Sequence, residues 1–270
     1  MKKSILITGC SKGFGLLFAE ELAKDGHKVY ATTRDLANAQ SLLNLTNKYR
    51  NLHVLKFDVV NSTELDTVHK IIDHEENGKL DVLINNAGYG LMGRVDEVDH
   101  SQIQRQFETN TFAPIEISKQ FLSLLNQSEK GGLIINISSI ASYFGLPGFG
   151  VYSSSKAALN TLSMSLAIEN KNRKLSVVLV EPGPFETSFR ESVIRMGEDE
   201  SYQKARSGLF PSREDPLLVS NLVKGVILEK HKEKLGAFRE IPIGKKSNLL
   251  RLVSRWLPQE MIVNLMSKKS

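Results

Sequence analysis

One cysteine and one tryptophan are all that 270 residues hold of those two types, and long apolar runs are missing. A single thiol, Cys10, excludes an intrachain disulfide and a cysteine-built zinc cage. No apolar stretch approaches the roughly 18 residues of a membrane-spanning helix. The opening Met1–Gly9 is basic and then apolar, but its apolar part is too short for a secretory signal, so a cytoplasmic location is expected. Metal-ligand spacing is lacking: His69 and His74, five apart, fall off a common helical face, and no metal is expected. Basic residues are not interleaved with aromatics over a broad face, which argues against a nucleic-acid partner. The formal charge of +5 comes from the tail: residues 224–270 carry 11 Lys/Arg against 4 Asp/Glu, whereas residues 1–223 carry 24 against 26. With no repeat and no low-complexity linker, residues 1–270 read as a single domain.

What is present suits a packed globular chain, 41% hydrophobic and 24% charged. Short runs rich in Ile, Val and Leu recur at 4–8, 28–33, 52–57, 80–85, 132–138 and 175–181, apolar on both faces as buried parallel strands are. A seventh strand is expected near 237–241. In the first intervening stretch Phe14, Phe18 and Leu22 fall at i, i+4 and i+8, with Gly26 placed to end the helix. Further helices are expected over 61–76, 101–126 and 152–170. This alternation, with right-handed crossovers, predicts an α/β fold: a doubly wound parallel sheet of about seven strands with helices on both faces. Residues 183–216, charged and flanked by prolines, are too long for an ordinary connection and predict a lid or substrate loop. The tail, 247–270, is basic and amphipathic, and Pro258 should split it into two short helices.

The chemistry begins directly after the first strand, with Thr8-Gly9-Cys10-Ser11-Lys12-Gly13-Phe14-Gly15 opening a helix. Small residues there let the backbone approach a pyrophosphate, whose charge is met by amide groups and the helix dipole. The spacing is T-G-x-x-x-G-x-G, not G-x-G-x-x-G; a tight turn without a ligand is the other reading. Further along, Tyr152 and Lys156 stand four apart on one helical face. A tyrosine acting as acid–base near neutral pH needs its pKa of about 10 lowered by two or three units, roughly 3–4 kcal/mol, and a neighbouring ammonium favours phenolate in that way.

Read in order, the glycine-rich turn, Asn85-Asn86-Ala87-Gly88, Asn110, Ser139, Tyr152-x-x-x-Lys156 and Pro182-Gly183 with Thr187 cover residues 4–190. This set resembles the short-chain dehydrogenases/reductases, a family of Rossmann-type oxidoreductases. The run Val29-Tyr30-Ala31-Thr32-Thr33-Arg34-Asp35 is similar to the branch of 17β-hydroxysteroid and retinol-type dehydrogenases. The resemblance implies a hydride transfer between nicotinamide C4 and a carbonyl or secondary-alcohol carbon. Tyr152 would exchange the proton. Lys156 would lower the tyrosine pKa and bond the nicotinamide ribose, and Ser139, with Ser138 as alternative, would hold the substrate oxygen. Asn110 would anchor a water of the proton relay; a buried asparagine satisfied by backbone is its other reading. Gly9, Ser11, Lys12, Gly13, Phe14, Gly15, Asn86, Ala87, Gly88, Tyr152, Lys156, Pro182, Gly183 and Thr187 would face the cofactor, and Asp58 with Val59 its adenine ring.

Cofactor choice turns on the 2′-phosphate. An acidic residue at the end of the second strand would repel it, and here Thr33 fills that place, followed by Arg34. Arg34 and Lys12 favour NADP(H) over NAD(H). Asp35 argues the other way, unless it points off or caps the next helix. Leu146, Phe149 and Phe185, with Tyr143, Phe144, Phe189, Leu91 and Met92, suggest an apolar cleft for a lipophilic alcohol or ketone. Family analogy implies a homodimer or homotetramer. Two other classes stay open: a non-catalytic NADP(H)-binding redox sensor or regulator, and a module that touches membrane surfaces through its tail.

Overall fold

The computed structural model describes residues 2–196, 214–229, 237–245, 247–258 and 260–261. Its strands are β1 Ser4–Ile7, β2 Lys28–Thr33, β3 Leu52–Lys56, β4 Val82–Asn85, β5 Gly90–Met92, β6 Gly132–Ile137, β7 Leu175–Pro182, β8 Val193–Arg195 and β9 Phe238–Ile243. Its helices are α1 Gly13–Lys24, α2 Gln40–Lys48, α3 Ser62–Glu75, α4 His100–Phe107, α5 Ala113–Asn126, α6 Gly150–Glu169, α7 Leu217–Glu229 and α8 Ser247–Trp256. Seven strands form one sheet in the order β3-β2-β1-β4-β6-β7-β9, every neighbouring pair parallel. The doubly wound α/β reading therefore holds.

Strict alternation along the strands divides the core into two layers. Ile5 and Ile7 join Phe18, Leu22, Val223 and Ile227 on the side of α1, α2 and α7. Leu6, one residue between them, joins Ile72, Phe121 and Leu166 on the side of α3, α5 and α6. Each such side chain, fully withdrawn from water, contributes about 1.5–3 kcal/mol before chain entropy is charged against it. Crossovers on both sides bring all the strands' C-terminal ends to one edge, where ligands bind in open parallel sheets.

Two differences from the sequence reading have physical causes. The single helix expected over 101–126 is α4 and α5 joined by a π turn, Glu108–Phe112; one inserted residue leaves the apolar periodicity nearly intact. β5 and β8, three residues each, pair with one another in a separate small sheet and carry too few residues to show alternation. The tail helix α8 ends before Pro258, as expected, and is tied to its own fold by Arg251 and Arg255, both on Glu240 of β9. Residues 262–270 of the expected second tail helix, and residues 197–213 of the expected lid loop, lie outside the described residues. No described helix is long and apolar enough to cross a membrane.

Candidate active site

The turn Thr8–Lys12 is fastened to its neighbours by main-chain bonds: Thr8 N donates to Ile84 O at 3.0 Å and Cys10 N to Thr32 O at 2.7 Å. Thr8 Oγ1 accepts from Asn86 N and Ala87 N, each at 3.0 Å, and Asn86 Nδ2 donates to Thr8 O and Gly9 O. The two segments lie so close that side chains are excluded. A Cβ on Gly9, where φ is +72°, would stand 2.8 Å from Ala87 Cα, and one on Gly15 would stand 2.3 Å from Gly9 O. Among the described residues no side chain caps the N-terminus of α1, and its first turn has no carboxylate. Ser188 Oγ, 3.4 Å from where a Cβ on Gly13 would sit, is buried without a partner among the described residues. Open amide groups, a glycine-lined hollow and an unsatisfied hydroxyl suit an anionic group, so the turn fits a dinucleotide's pyrophosphate.

The neighbouring strand ends bear on cofactor choice. Arg34 is exposed at the end of β2. Asp35 is engaged locally: its carboxylate accepts from Asn38 Nδ2 at 2.6 Å and Ala37 N at 2.9 Å, which holds its pKa low. Lys12 pairs with Glu191 at 3.2 Å. Beyond β3, Asp58 and Val59 are half-buried, and Asp58 is free of capping duty because Asn61 Oδ1 accepts from Glu64 N and caps α3. Gly183, after β7, donates its N–H to Ile243 O, and Thr187 Oγ1 accepts from Phe189 N.

At the same edge, β6 and α6 bring Ser139, Tyr152 and Lys156 together. Ser139 begins a 3-10 turn, Ile140–Tyr143, with its Oγ accepting from Ala141 N at 3.1 Å. Burial pushes the Tyr152 hydroxyl up to about 12, opposed by a hydrogen bond from the Ser139 side chain. Burial also pushes Lys156 down to about 8, its Nζ donating to Ile137 O at 2.9 Å. The Lys156 ammonium is thus turned to a carbonyl, and burial is the largest influence on both groups. Asn110 comes from the π turn, which turns its side chain into the buried interior. Its Oδ1 accepts from Tyr89 N, and its Nδ2 donates to Tyr89 O and Ser155 Oγ. Both Asn110 Oδ1 and Lys156 Nζ crowd Gly88, at 3.0 and 3.5 Å from its added Cβ.

Apolar walls surround Tyr152. Met92, Ala141, Leu146, Phe149 and Val193 pack with it in one cluster, and the Phe189 ring lies 5.8 Å away. Phe185 does not join them: its ring meets Phe14 on α1, 5.8 Å off, within the core layer under the turn. Leu91 packs with Val98 and Val151 instead. Tyr143 points away from the cleft, its hydroxyl bonded to the Glu181 carboxylate. Spacing alone gave no signal for these choices, since Phe185 and Phe189 are equally apolar. Glu181 and Asn160, which the sequence reading missed, lie immediately behind Ser139.

Comparison with known proteins bears on this arrangement. The sequence profile of the short chain dehydrogenase family matches residues 3–197. A 3-ketodihydrosphingosine reductase of Bacteroides thetaiotaomicron is 38% identical over 189 residues, 70% of this chain and 66% of that protein. The oxidoreductase YusZ of Bacillus subtilis is 31% identical over 99% of this chain and 98% of its own. Human retinol dehydrogenase 8 is 34% identical over 71% of this chain and 62% of its own. Among solved structures, a short-chain dehydrogenase of Streptomyces avermitilis superposes with a TM-score of 0.79 at 26% identity, covering 97% of this chain and 98% of that one. ElxO with NADP bound gives 0.73 at 26% identity, covering 89% and 97%. The chain therefore belongs to the short-chain dehydrogenase family.

Proposed function

We propose that this chain is an NADP(H)-dependent oxidoreductase, moving a hydride between nicotinamide C4 and the carbonyl or secondary-alcohol carbon of a lipophilic substrate. The observation that carries the reading is the Tyr152 side chain, buried, close to Ser139 and walled by apolar side chains. Gly9, Ser11, Lys12, Gly13, Phe14 and Gly15 would hold the pyrophosphate, Arg34 the 2′-phosphate, and Asp58 and Val59 the adenine. Asn86, Ala87, Gly88, Tyr152, Lys156, Pro182, Gly183 and Thr187 would line the rest of the cofactor. When bound, the cofactor supplies a hydride donor or acceptor and, once oxidised, a positive charge. Ser139 would hold the substrate oxygen as an oxyanion-type donor, and Tyr152 would deliver the proton to that oxygen. A phenol held near 12 is protonated at neutral pH, the form that carbonyl reduction needs. Lys156 would supply charge beside the tyrosine and ribose. Asn110 would serve the proton path by fixing the Gly88–Tyr89 segment against Lys156.

Support for NADP(H) comes from Thr33 and Arg34 where a carboxylate would stand, from the engaged Asp35 carboxylate, and from the NADP bound to ElxO. Support for a lipophilic substrate comes from Leu146, Phe149 and Phe189 around the tyrosine and from the names of two relatives, a ketodihydrosphingosine reductase and a retinol dehydrogenase. Exposed Phe112, Leu162 and Ile168 offer apolar surface on the π turn and α6 for the expected homodimer or homotetramer. The test is titration with NADPH and NADH, then a panel of lipophilic ketones and aldehydes, with Tyr152→Phe beside the wild type. NADPH is expected to bind more tightly, and the variant to lose at least about 100-fold in kcat while keeping cofactor affinity. Tighter NADH binding overturns the cofactor reading, and full turnover by Tyr152→Phe overturns the mechanism.

A further inference from the structure

β7, which lies next to the edge strand β9, carries Glu181 one residue before its end, with the side chain fully buried. Among the described residues no Lys or Arg forms an ion pair with it. A buried carboxylate left to itself is costly, so its oxygens must find donors. They find two. Tyr143 Oη donates to Oε2 at 2.5 Å, and Asn160 Nδ2 donates to Oε1 at 2.7 Å. Each donor also grips the segment that carries Ser139. Tyr143 is the last residue of the 3-10 turn that Ser139 begins. Asn160, on α6, accepts from Ser138 Oγ at 2.5 Å through Oδ1 and donates to Ser142 Oγ at 3.0 Å through Nδ2. Ser142 Oγ in turn donates to the Ser139 carbonyl at 2.7 Å.

We infer that Glu181 is a positioning residue for Ser139, acting through Tyr143 and Asn160. The inference rests on the reading of Ser139 as the group that holds the substrate oxygen. A carboxylate only accepts, so both neighbours are forced to donate, and the Asn160 amide can face it in one way only. That choice leaves Asn160 Oδ1 to accept from Ser138 and Nδ2 to donate to Ser142, so the Ser142 hydroxyl proton is free for the Ser139 carbonyl. Glutamine in place of Glu181 would keep the shape but offer a donor as well as an acceptor. Asn160 could then turn over and take the Ser142 hydroxyl proton on its Oδ1, away from the Ser139 carbonyl, leaving the Ser139 turn with two arrangements. A displacement of about 1 Å at a positioned group costs on the order of 100-fold in rate.

The charged and titratable groups around Glu181 act in both directions. Desolvation and Glu240 on β9 raise its pKa, while Tyr143, Asn160 and Arg251 on α8 oppose the rise. A positioning role and a merely structural one therefore differ in what removing the charge does to stability.

The experiment is a double-variant cycle on a ketone that the wild type reduces, comparing Glu181→Gln, Ser139→Ala and the two together, with NADPH affinity and thermal midpoint measured for each. Glu181→Gln is expected to lower kcat/KM by about 10- to 100-fold, to leave NADPH affinity within about twofold, and to melt at or above the wild-type temperature at pH 7.5. In the Ser139→Ala background the same change is expected to cost less than about twofold, because the group it positions is gone. Full activity in Glu181→Gln, or losses that multiply in the double variant, overturns the inference. Should Glu181→Gln fold poorly, Tyr143→Phe carries the same cycle, with a smaller loss that again vanishes beside Ser139→Ala. Full turnover by Ser139→Ala would instead overturn the role given to Ser139, and this inference with it.

Discussion

Between β1 and α1 the candidate site is made of main chain: amide groups, carbonyls and glycines packed against Asn86 and Ala87. Between β6 and α6 it is made of polar side chains: Tyr152, Lys156 and Glu181 buried, Ser139 and Asn160 half-buried. The first side works because atoms are missing, and it is damaged by any atom added. The second works because polar groups are held where water is excluded, and it carries a standing cost in stability. One fold edge thus holds a region limited by space and another limited by solvation.

The largest expected effect tests the first region. Gly15→Ala sets a methyl 2.3 Å from Gly9 O, a main-chain atom that cannot swing aside. We expect at least about 3 kcal/mol of lost stability and more than 100-fold weaker NADPH binding, read by denaturant unfolding and fluorescence titration. A variant that binds normally would break the comparison. Next, Lys156→Met should be inactive yet more stable at pH 7. The lysine's folded pKa is depressed to about 8 from 10.5. Its favourable contribution is complete above pH 10.5 and is lost as pH falls through 8. Removing it should therefore raise stability by up to about 3 kcal/mol at pH 7, a gain that shrinks towards pH 10.5 in unfolding curves.

The third expectation concerns Tyr152. With burial pushing the phenol up, alcohol oxidation, which needs phenolate, should rise with pH from pH 6 upwards. Carbonyl reduction should stay nearly flat over the same range, and equal slopes would sink the assignment. The smallest effects sharpen the border between the regions. Arg34→Ala should weaken NADPH about 10-fold with little change for NADH, whereas Lys12→Ala, whose ammonium is already paired with Glu191, should cost only about two- to threefold. Reversal of that order in a titration would assign the 2′-phosphate to Lys12.

The sheet was legible because parallel strands buried on both faces leave continuous apolar runs, and β2 matches its expected span at both ends. The glycine turn was legible because sterics restrict it to so few residue types. What escaped reading depends on contacts between distant segments. Glu181 looks like an ordinary polar end to an apolar strand until Tyr143 and Asn160 are brought to it. Phe185 and Phe189 differ only in which way a loop turns, so the expected cleft residue packs on Phe14 and its neighbour meets Tyr152. The π turn hides within an unbroken amphipathic stretch, although it is what carries Asn110 inward.

Cys10 sits inside the glycine turn, fully buried, with its Sγ donating to Ile7 O at 3.4 Å and its thiol pushed up to about 12 by desolvation. So little thiolate exists at physiological pH that maleimides and mild oxidants should pass it by. A new thiol placed on an exposed helical position, such as Lys70→Cys, would then be the one that reacts. The native background needs no editing before a fluorophore or spin label is attached at a chosen place.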